Sequence, residues 1–461
     1  MLLRLGICLL AMGVSATQGA VRPVSLIVTG GTVVTMDAAG RVLAPGALAV
    51  DGRDIVGIDS PAAIAARFSA ADTIDAAGHV VMPGLINTHT HAPMVLYRGL
   101  ADDLALMEWL QKYIFPAEAK TVTPAFVRAG TRLAALEMIE SGTTAYADMY
   151  YFEEEIAKVT EQAGLRGLLG QTIIEFPVPD AKTPADALER AEAFIRQWAG
   201  SELIVPAVAP HAMYTLDTAT MRAVLGLADR ARAPIITHLA ETREEVTIAR
   251  EKYKMTPAAY LDSLGLLRPR TLAAHGVWLT PEDVRLLARR GVGVAHNPES
   301  NMKLASGSAP VPSMLAAGVA VGLGTDGAAS NNDLDMFEAM RQAALLHKLQ
   351  SNDPRAIPAR TAVAMATAGA ARALGMEREI GSLEVGKRAD LIVVSLGAAR
   401  QTPVYDPLSH LVYVTRGDDV RTTIVNGKIL MRDRRVLTLD AAAVLAEARA
   451  MAATVRTAVG Q

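Results

Sequence analysis

Short apolar runs alternate with longer amphipathic stretches between about residue 79 and residue 383 of the chain. Each run is almost continuously hydrophobic, which is typical of parallel strands that are buried on both faces. The stretches between the runs repeat their apolar residues at helical spacing. Eight strand–helix units of this kind predict an α/β fold with a TIM-like (β/α)₈ barrel. The predicted strands are Val80–Ile86, Thr143–Asp148, Arg166–Thr172, Ile204–Ala209, Pro234–His238, Thr271–Ala274, Val292–Ala295 and Val319–Gly324.

The two ends of the chain have a different pattern, in which short β-type runs are separated by turns. Asp51-Gly52 and Asn426-Gly427 are hairpin signals in these segments. Val412–Thr415 also reads as a short strand. We therefore expect residues 21–80 and 384–436 to meet in one small composite β-sandwich domain. The barrel would then span residues 81–383, and a helix over Ala441–Val459 would occupy the C-terminal segment 437–461.

Residues 1–20 have the layout of a secretory signal peptide. A positive charge at Arg4 precedes an apolar stretch, and small residues offer cleavage points after Ala16 or Ala20. This pattern predicts a periplasmic or secreted protein, with a buried first strand or a misplaced start codon as the alternative interpretation. Cys8 is the one cysteine of the chain, so the mature protein would have neither a disulfide nor a thiolate zinc site.

Charge and hydropathy narrow the classes of partner. The chain has 45 Lys and Arg against 48 Asp and Glu, a formal net charge of −3, so no broad basic surface for nucleic acid is expected. No apolar run reaches the roughly 18–20 residues that a membrane-spanning helix needs. The composition therefore predicts neither a nucleic-acid partner nor a membrane span.

Imidazoles and a carboxylate recur where the predicted strands end, which is where a barrel of this kind carries its reactive groups. His89 and His91 close the first strand at positions i and i+2, so both side chains point to the same side. Any one such residue alone is more often a core or loop residue, but their coincidence at one barrel mouth predicts a metal site. The later strands end at His211, His238, His275 and Asp326.

The motifs at these strand ends resemble the amidohydrolase superfamily. Within it the chain is similar to the branch that holds methylthioadenosine/S-adenosylhomocysteine deaminases, adenosine-type deaminases and triazine chlorohydrolases. The resemblance covers nearly the whole chain after residue 20, and the motifs are more specific for the superfamily than for the substrate. They are Pro-Gly-Leu-Ile-Asn-Thr-His-Thr-His at 83–91, His-Leu-Ala-Glu at 238–241, His-Gly at 275–276, Gly-Thr-Asp-Gly at 324–327 and Gly-Ser-Leu-Glu-Val-Gly-Lys-Arg-Ala-Asp-Leu at 381–391.

The resemblance implies that His89, His91, His238 and Asp326 bind a divalent metal ion. Residues 204–215 contain no lysine, so no carbamylated lysine can bridge two ions there, which favours a single ion. Three imidazoles and one carboxylate suit Zn²⁺, with Fe²⁺ or Mn²⁺ as alternatives.

The same residues imply hydrolytic deamination of an aromatic ring. The ion would lower the pKa of a bound water and so provide a hydroxide nucleophile. Asp326 would accept the proton of that water, and His275 would orient the nucleophile. Glu241 would protonate a ring nitrogen and then the departing amine, which leaves as ammonia.

Further positions match the part of the resemblance that concerns an adenine nucleoside. Trp109 would stack on the purine, while Glu118 and His211 would contact the ribose. A helix-packing role for Trp109 and an exposed helix-start role for Glu118 remain open from the sequence. Gln171 stands where relatives that accept S-adenosylhomocysteine carry an arginine, and a lost charge-assisted anchor is worth roughly 1.5–3 kcal/mol. 5′-Methylthioadenosine or adenosine is therefore favoured, with S-adenosylhomocysteine as a further candidate.

Two other interpretations compete with this one. A related enzyme would act on another ring, as a guanine or pterin deaminase or a triazine chlorohydrolase; Glu241 favours deamination, because chloride leaves without a proton. A non-catalytic barrel would usually have lost a ligand, and the set is complete here. Relatives in this superfamily are often dimers or larger, so a homo-oligomer is compatible with the sequence.

Overall fold

A computed structural model of the protein describes residues 21–460, so the predicted signal peptide, with Cys8, lies outside the described residues. The first described strands belong to a mixed sheet, and the Asp51-Gly52 signal does join two of them as a hairpin. These strands are β1 (Arg22–Val34), β2 (Val42–Asp51), β3 (Asp54–Asp59), β4 (Phe68–Asp75) and β5 (His79–Pro83).

A parallel barrel follows, and the predicted α/β class is confirmed. Among residues 21–460 its eight strands are adjacent in chain order, each parallel to the next. The first and last strands also meet, because the backbone N–H of Asp326, which follows the last strand, donates to the carbonyl of His89 in the first strand at 2.9 Å. The strands are β6 (Leu85–Thr90), β7 (Thr143–Tyr150), β8 (Arg166–Ile173), β9 (Ile204–Pro210), β10 (Ile235–Leu239), β11 (Thr271–His275), β12 (Gly293–His296) and β13 (Ala320–Leu323).

The C-terminal strands complete the mixed sheet that β1 to β5 begin. They are β14 (Leu391–Ser395), β15 (Val420–Val425), β16 (Lys428–Arg432) and β17 (Arg435–Val436). The junction is an antiparallel pairing of β5 with β14, in which Pro83 lies opposite Leu391. One buried core contains residues of both ends of the chain, including Leu26, Leu48, Val393 and Ile424.

The helices lie mainly between barrel strands, and their ends carry the expected capping residues. In the helix 124–141, for example, Thr123 accepts from the backbone of Phe126, and Gly142 ends the helix at a φ of 87°. Among residues 21–460, every helix is too short or too polar to span a lipid bilayer. The helices are α1 (Pro61–Arg67), α2 (Leu106–Glu108), α3 (Phe115–Thr121), α4 (Pro124–Ser141), α5 (Glu153–Ala163), α6 (Pro184–Trp198), α7 (Thr218–Ala231), α8 (Arg243–Tyr253), α9 (Pro257–Ser263), α10 (Pro281–Arg290), α11 (Pro298–Lys303), α12 (Val311–Ala316), α13 (Met336–Ser351), α14 (Ala359–Met365), α15 (Ala368–Ala373), α16 (Pro407–Tyr413) and α17 (Ala441–Val459), with a π-helical turn at Trp109–Ile114.

Two predicted strands are wrong in detail. The run Val80–Ile86 is divided at Gly84 between β5 of the mixed sheet and β6 of the barrel, because two buried strands that follow each other directly look like one in hydrophobicity. The predicted strand Val412–Thr415 instead overlaps the end of α16, which Asp406 caps by accepting from the backbone of Leu408. Apolar runs this short do not distinguish a strand from a helix.

A buried ion pair ties the barrel to the mixed sheet. Arg166, at the start of β8, donates through Nε to Asp390 at 3.0 Å and through Nη2 at 3.3 Å. Both side chains are only 2% exposed, and a further Arg166 nitrogen donates to the carbonyl of Glu202. The bidentate hydrogen bonding between guanidinium and carboxylate offsets the free-energy cost of desolvating both charges.

Removing this arginine should therefore destabilise the protein strongly. Arg166→Met leaves the Asp390 carboxylate buried without its cation, and we expect the free energy of unfolding to fall by about 3–5 kcal/mol. The matched control is Arg22→Gln, which breaks an exposed 2.6 Å pair with Asp51 and should cost less than about 1 kcal/mol. Urea denaturation measures both variants; a change for Arg166→Met as small as that of the control would contradict this assignment.

Candidate metal centre and active-site cavity

The ends of β6 and β13 bring two histidines and a carboxylate together. His89 Nε2 lies 3.4 Å and His91 Nε2 lies 3.3 Å from the same oxygen, Oδ1 of Asp326. The strand-end rule placed these residues at one mouth, and the structure brings them into direct contact. Their ligand atoms all lie within 4.8 Å of one another, close enough to hold one metal ion.

A second group of ligand atoms overlaps the first through His89. It consists of His89, His238 and His275, again within 4.8 Å of one another. The ring centroids of His89 and His238 are 5.0 Å apart, and those of His89 and His275 are 5.5 Å apart. All four predicted ligands therefore converge, and His275, predicted to lie outside the ligand set, is within reach of the same centre.

Hydrogen bonds from the opposite ring nitrogen orient two of these imidazoles. His91 Nδ1 lies 2.6 Å from the carbonyl oxygen of Met149, and His238 Nδ1 lies 2.8 Å from that of His211. A carbonyl oxygen only accepts, so each Nδ1 must carry the proton. Each Nε2 then presents a lone pair to the centre, which is the arrangement of metal-binding histidines.

His89 has no carbonyl oxygen to orient its ring, and its surroundings give the best test of whether a cation fits the site. Its side chain is fully buried, its Nδ1 has no hydrogen-bond partner among the described residues, and its Nε2 faces only Oδ1 of Asp326, at 3.4 Å. Burial lowers the pKa of His89 to about 4, so the ring is neutral at pH 7. A neutral, buried imidazole facing a carboxylate is the donor chemistry that a divalent ion satisfies.

Asp326 is held from several sides. Ser300 and Ser330 donate to its Oδ2 at 2.7 and 3.0 Å, and the backbone N–H of Gly327 donates to Oδ1 at 2.8 Å. Burial alone would raise the pKa of this carboxyl, but the hydrogen bond and charge interactions with the histidines, His89 above all, hold it well below its usual value. The backbone of Asp326 has a φ of 65°, a strained value for a residue other than glycine.

His275 and Glu241 lie beside this centre. His275 Nδ1 is 2.9 Å from Oδ1 of Asn301, and its Nε2 is 3.7 Å from Oε2 of Glu241 and 4.0 Å from Oδ2 of Asp326. Burial, followed by the charge of Asp326, raises the pKa of Glu241 well above its usual value, which favours the protonated carboxyl. Glu245 fixes the backbone at this point by accepting from the N–H of Glu241 at 2.9 Å.

One cavity opens above these residues and contains three of the predicted substrate contacts. Trp109, Glu118 and His211 line it together with Glu241. Trp109 is 5% exposed and Glu118 only 4%, so Glu118 is not the exposed helix-start residue that the sequence left open. The predicted set of catalytic and nucleoside-contacting residues thus shares one space, with a single exception.

The exception is Gln171, which the structure places outside the cavity lining. Its side chain is buried and donates to Asp180 at 2.8 Å. Successive residues of a strand point to opposite faces, so the next residue, Thr172, lines the cavity instead. Gln171 therefore does not share the cavity with the other predicted substrate contacts.

Several residues of the site were missed. Tyr150 and Tyr151, at the end of β7, line the cavity and donate to Glu118 at 2.7 and 3.4 Å. They follow a predicted strand, so applying the strand-end rule to tyrosines would have found them. The serines on Asp326 and the asparagine on His275 have no such signal, because they come from the short helix α11 and from the turn after Asp326 and not from strand ends.

The comparisons with known proteins agree with this geometry. Residues 80–430 match the model of the amidohydrolase family. A 5-methylthioadenosine/S-adenosylhomocysteine deaminase of Syntrophobacter fumaroxidans is 48% identical over 94% of this chain and 98% of its own length. A 5′-deoxyadenosine deaminase of Methanosarcina mazei is 46% identical over 92% of this chain and 96% of its own.

A solved structure extends the likeness to the whole fold. The crystal structure of an adenosine deaminase from Xanthomonas campestris with bound zinc superposes with a TM-score of 0.93. It is 42% identical and covers 95% of this chain and 100% of its own. The strand-end motifs, the converging ligand atoms and these matches together show that the chain belongs to the amidohydrolase family.

Proposed function

We propose that the protein is a metal-dependent hydrolytic deaminase of an adenine nucleoside, with 5′-methylthioadenosine or adenosine as the favoured substrate. The observation that carries the proposal is the shared cavity, in which a centre suited to a metal and a buried carboxyl, Glu241, face the same space as Trp109 and Glu118. Relatives named as deaminases of methylthioadenosine and 5′-deoxyadenosine support the same substrate class. S-Adenosylhomocysteine is a further candidate.

A single divalent ion, zinc above others, would be held by His89, His91, His238 and Asp326. The lone pairs at Nε2 of His91 and His238 and the ionised carboxylate of Asp326 support this donor set, as does the zinc of the Xanthomonas relative. When bound, such an ion supplies the Lewis acidity that makes a water molecule nucleophilic near neutral pH.

The surrounding side chains manage the protons of the reaction. Asp326 accepts one proton from the attacking water, while the donors Ser300 and Ser330 hold its Oδ2 in place. His275, oriented by Asn301, hydrogen bonds to the nucleophile. Glu241 delivers its proton to the ring nitrogen next to the reacting carbon, so that the oxygen–carbon bond forms without charge building up on the ring. The proton held by Asp326 then goes to the amine, the carbon–nitrogen bond breaks, and ammonia leaves. As the ring carbonyl forms, the hydroxyl proton of the intermediate passes to the Glu241 carboxylate, which restores the acid.

The walls of the cavity favour an uncharged 5′ group on the nucleoside. Among the described residues that line it, none is Lys or Arg. The carboxylate of an S-adenosylhomocysteine tail would therefore find no cationic anchor in this cavity. Apolar side chains, including Met94, Leu106, Ile114 and Phe115, form much of the wall instead.

A substrate screen tests the proposal most broadly. Ammonia release from 5′-methylthioadenosine, adenosine, S-adenosylhomocysteine and guanine, and chloride release from a chlorotriazine, should be measured with the purified, zinc-loaded enzyme. We expect turnover of the adenine nucleosides, with kcat/KM for methylthioadenosine at least about tenfold above that for S-adenosylhomocysteine, since a missing charge-assisted contact is worth that much. Preference for guanine or the triazine would overturn the assignment to adenine nucleosides, and preference for S-adenosylhomocysteine would overturn the favoured substrate.

Two variants separate metal binding from acid catalysis. His89→Ala should lose both the bound metal and activity, because it removes the imidazole shared by both groups of ligand atoms. Glu241→Gln should retain the metal yet lower kcat by about 10²–10⁴-fold, because an amide cannot give up a proton. Metal analysis and ammonia release measure both, with His410→Ala, outside the cavity, as the control. Undiminished turnover of Glu241→Gln would remove this residue from the acid role.

We also propose that residues 1–20 direct export of the chain, on the strength of the charged, apolar and small-residue order of that segment. Mass spectrometry of the protein recovered from its native host should find a chain that begins after Ala16 or Ala20. Recovery of the uncleaved chain from the cytosol alone would refute export.

A further inference from the structure

One short helix, α11, carries side chains to two of the residues that surround the candidate metal centre. Ser300 donates to Oδ2 of Asp326 at 2.7 Å, and Oδ1 of Asn301 lies 2.9 Å from Nδ1 of His275. Ser300 and Asn301 are both fully buried. The helix has only six residues, so whatever fixes its position also fixes both of these hydrogen bonds.

The last residue of α11 is Lys303, which lies outside the cavity lining and has two oxygen partners. Its Nζ donates to Oδ1 of Asp102 at 2.5 Å and to Oδ1 of Asn332 at 2.6 Å. The amide nitrogen of Asn332 lies 3.4 Å from the other oxygen of Asp102, which closes a ring of three side chains. The hydrogen bond from Lys303 lowers the pKa of Asp102, so the ion pair is charged at neutral pH.

Asp102 belongs to the loop 98–105, which leads directly into a wall of the cavity. Leu106, Trp109 and Leu110 follow the loop in the chain, and all three line the cavity. The contact of Asp102 with Lys303 therefore joins this wall to α11, on the other side of the barrel mouth. Through this one contact, the wall is connected to the helix that orients the catalytic side chains.

The reaction centre is enclosed when the wall is in this position. Glu241, His275 and Asp326 are each at most 6% exposed, and Trp109 of the wall is 5% exposed. A nucleoside is far larger than the water molecule that barely reaches these atoms, so part of the wall has to move to admit it. The wall then has to close again before reaction, because closure excludes water from the reacting atoms.

We propose that Lys303 is a positioning residue: it joins the loop before the cavity wall to α11, and so aligns Asp326 and His275 when the wall is closed. The inference rests on the proposed function and adds to it the group that couples closure to catalytic geometry. A charge-assisted hydrogen bond holds two segments firmly. The Lys303 side chain is 22% exposed and that of Asp102 is 37% exposed, so water can replace either partner when the wall opens.

The first test is kinetic and uses adenosine with the zinc-loaded enzyme. Lys303→Met keeps the apolar stem but removes the ammonium group, and we expect kcat to fall roughly five- to tenfold with the metal content unchanged. Asp102→Asn should lower kcat less, because an amide oxygen still accepts a hydrogen bond. The double variant should be no slower than Lys303→Met alone, since both changes break the same link. A rise in KM with kcat unchanged, or losses in kcat that multiply in the double variant, would overturn the positioning role.

Hydrogen–deuterium exchange gives a readout that does not depend on turnover. In the range 301–306, the backbone N–H groups of Asn301, Leu304 and Ser306 donate to backbone carbonyls. Asp102→Asn alters the loop alone, yet it should accelerate exchange at 301–306, because the loop helps to hold α11. Faster exchange in the loop with unchanged exchange at 301–306 would show an anchored loop without coupling, and would overturn the inference.

Arg98→Gln is the matched control. Arg98 forms an ion pair with Glu137 at the start of the same loop, and neither residue belongs to α11 or lines the cavity. Its loss should leave kcat within about twofold of the unaltered enzyme and exchange at 301–306 unchanged. Losses equal to those of Lys303→Met would show a general effect of loosening the loop and would contradict the coupling. Absence of adenosine turnover by the unaltered enzyme would overturn the proposed function, while the exchange measurement would still decide whether the loop and α11 are coupled.

Discussion

Several imidazoles face one carboxylate at the mouth of the barrel, and the rest of the site depends on keeping the imidazoles oriented beside that ionised group. Burial keeps His89 neutral, and acceptors behind His91 and His238 fix which nitrogen of each carries the proton. Asp326 stays ionised because the imidazoles and the two serines surround it. Burying such a set of polar groups without a cation costs folding free energy. The arrangement that suits a metal ion is therefore also the arrangement that positions the catalytic side chains.

The two ends of the parallel barrel have different roles in meeting this constraint. Strand ends at the mouth carry the reactive groups, and some adopt strained backbone, with positive φ at Ala240, His275 and Asp326. The beginning of β8, by contrast, carries the buried ion pair of Arg166 and Asp390, which joins the barrel to the mixed sheet. Stability and chemistry are therefore supplied from different places, as the barrel architecture permits.

The class of fold and the metal-ligating residues follow from the sequence because both depend on local rules. Continuous apolar runs indicate buried parallel strands, and the residues at which these strands end indicate which side chains lie at the mouth of the barrel. The rest needed three-dimensional information. The junction at Gly84 is invisible to hydrophobicity because both strands beside it are buried. The strand pattern alone did not reveal that Gln171 points to Asp180 while its neighbour Thr172 points into the cavity, since a one-residue offset in a strand reverses the side chain. Ser300 and Asn301 reach the site from the short helix α11, more than 20 residues from Asp326 and His275 in the chain, and Ser330 reaches Asp326 from the turn just after it, so none of the three lies at a predicted strand end.

The central claim is that one divalent ion sits where these side chains converge. Anomalous diffraction at the zinc absorption edge, from crystals of the protein purified with zinc, tests it most directly. The account predicts a single peak within coordination distance of His89, His91, His238 and Asp326. Two peaks bridged at the barrel mouth, or a peak elsewhere with this cluster empty, would contradict it.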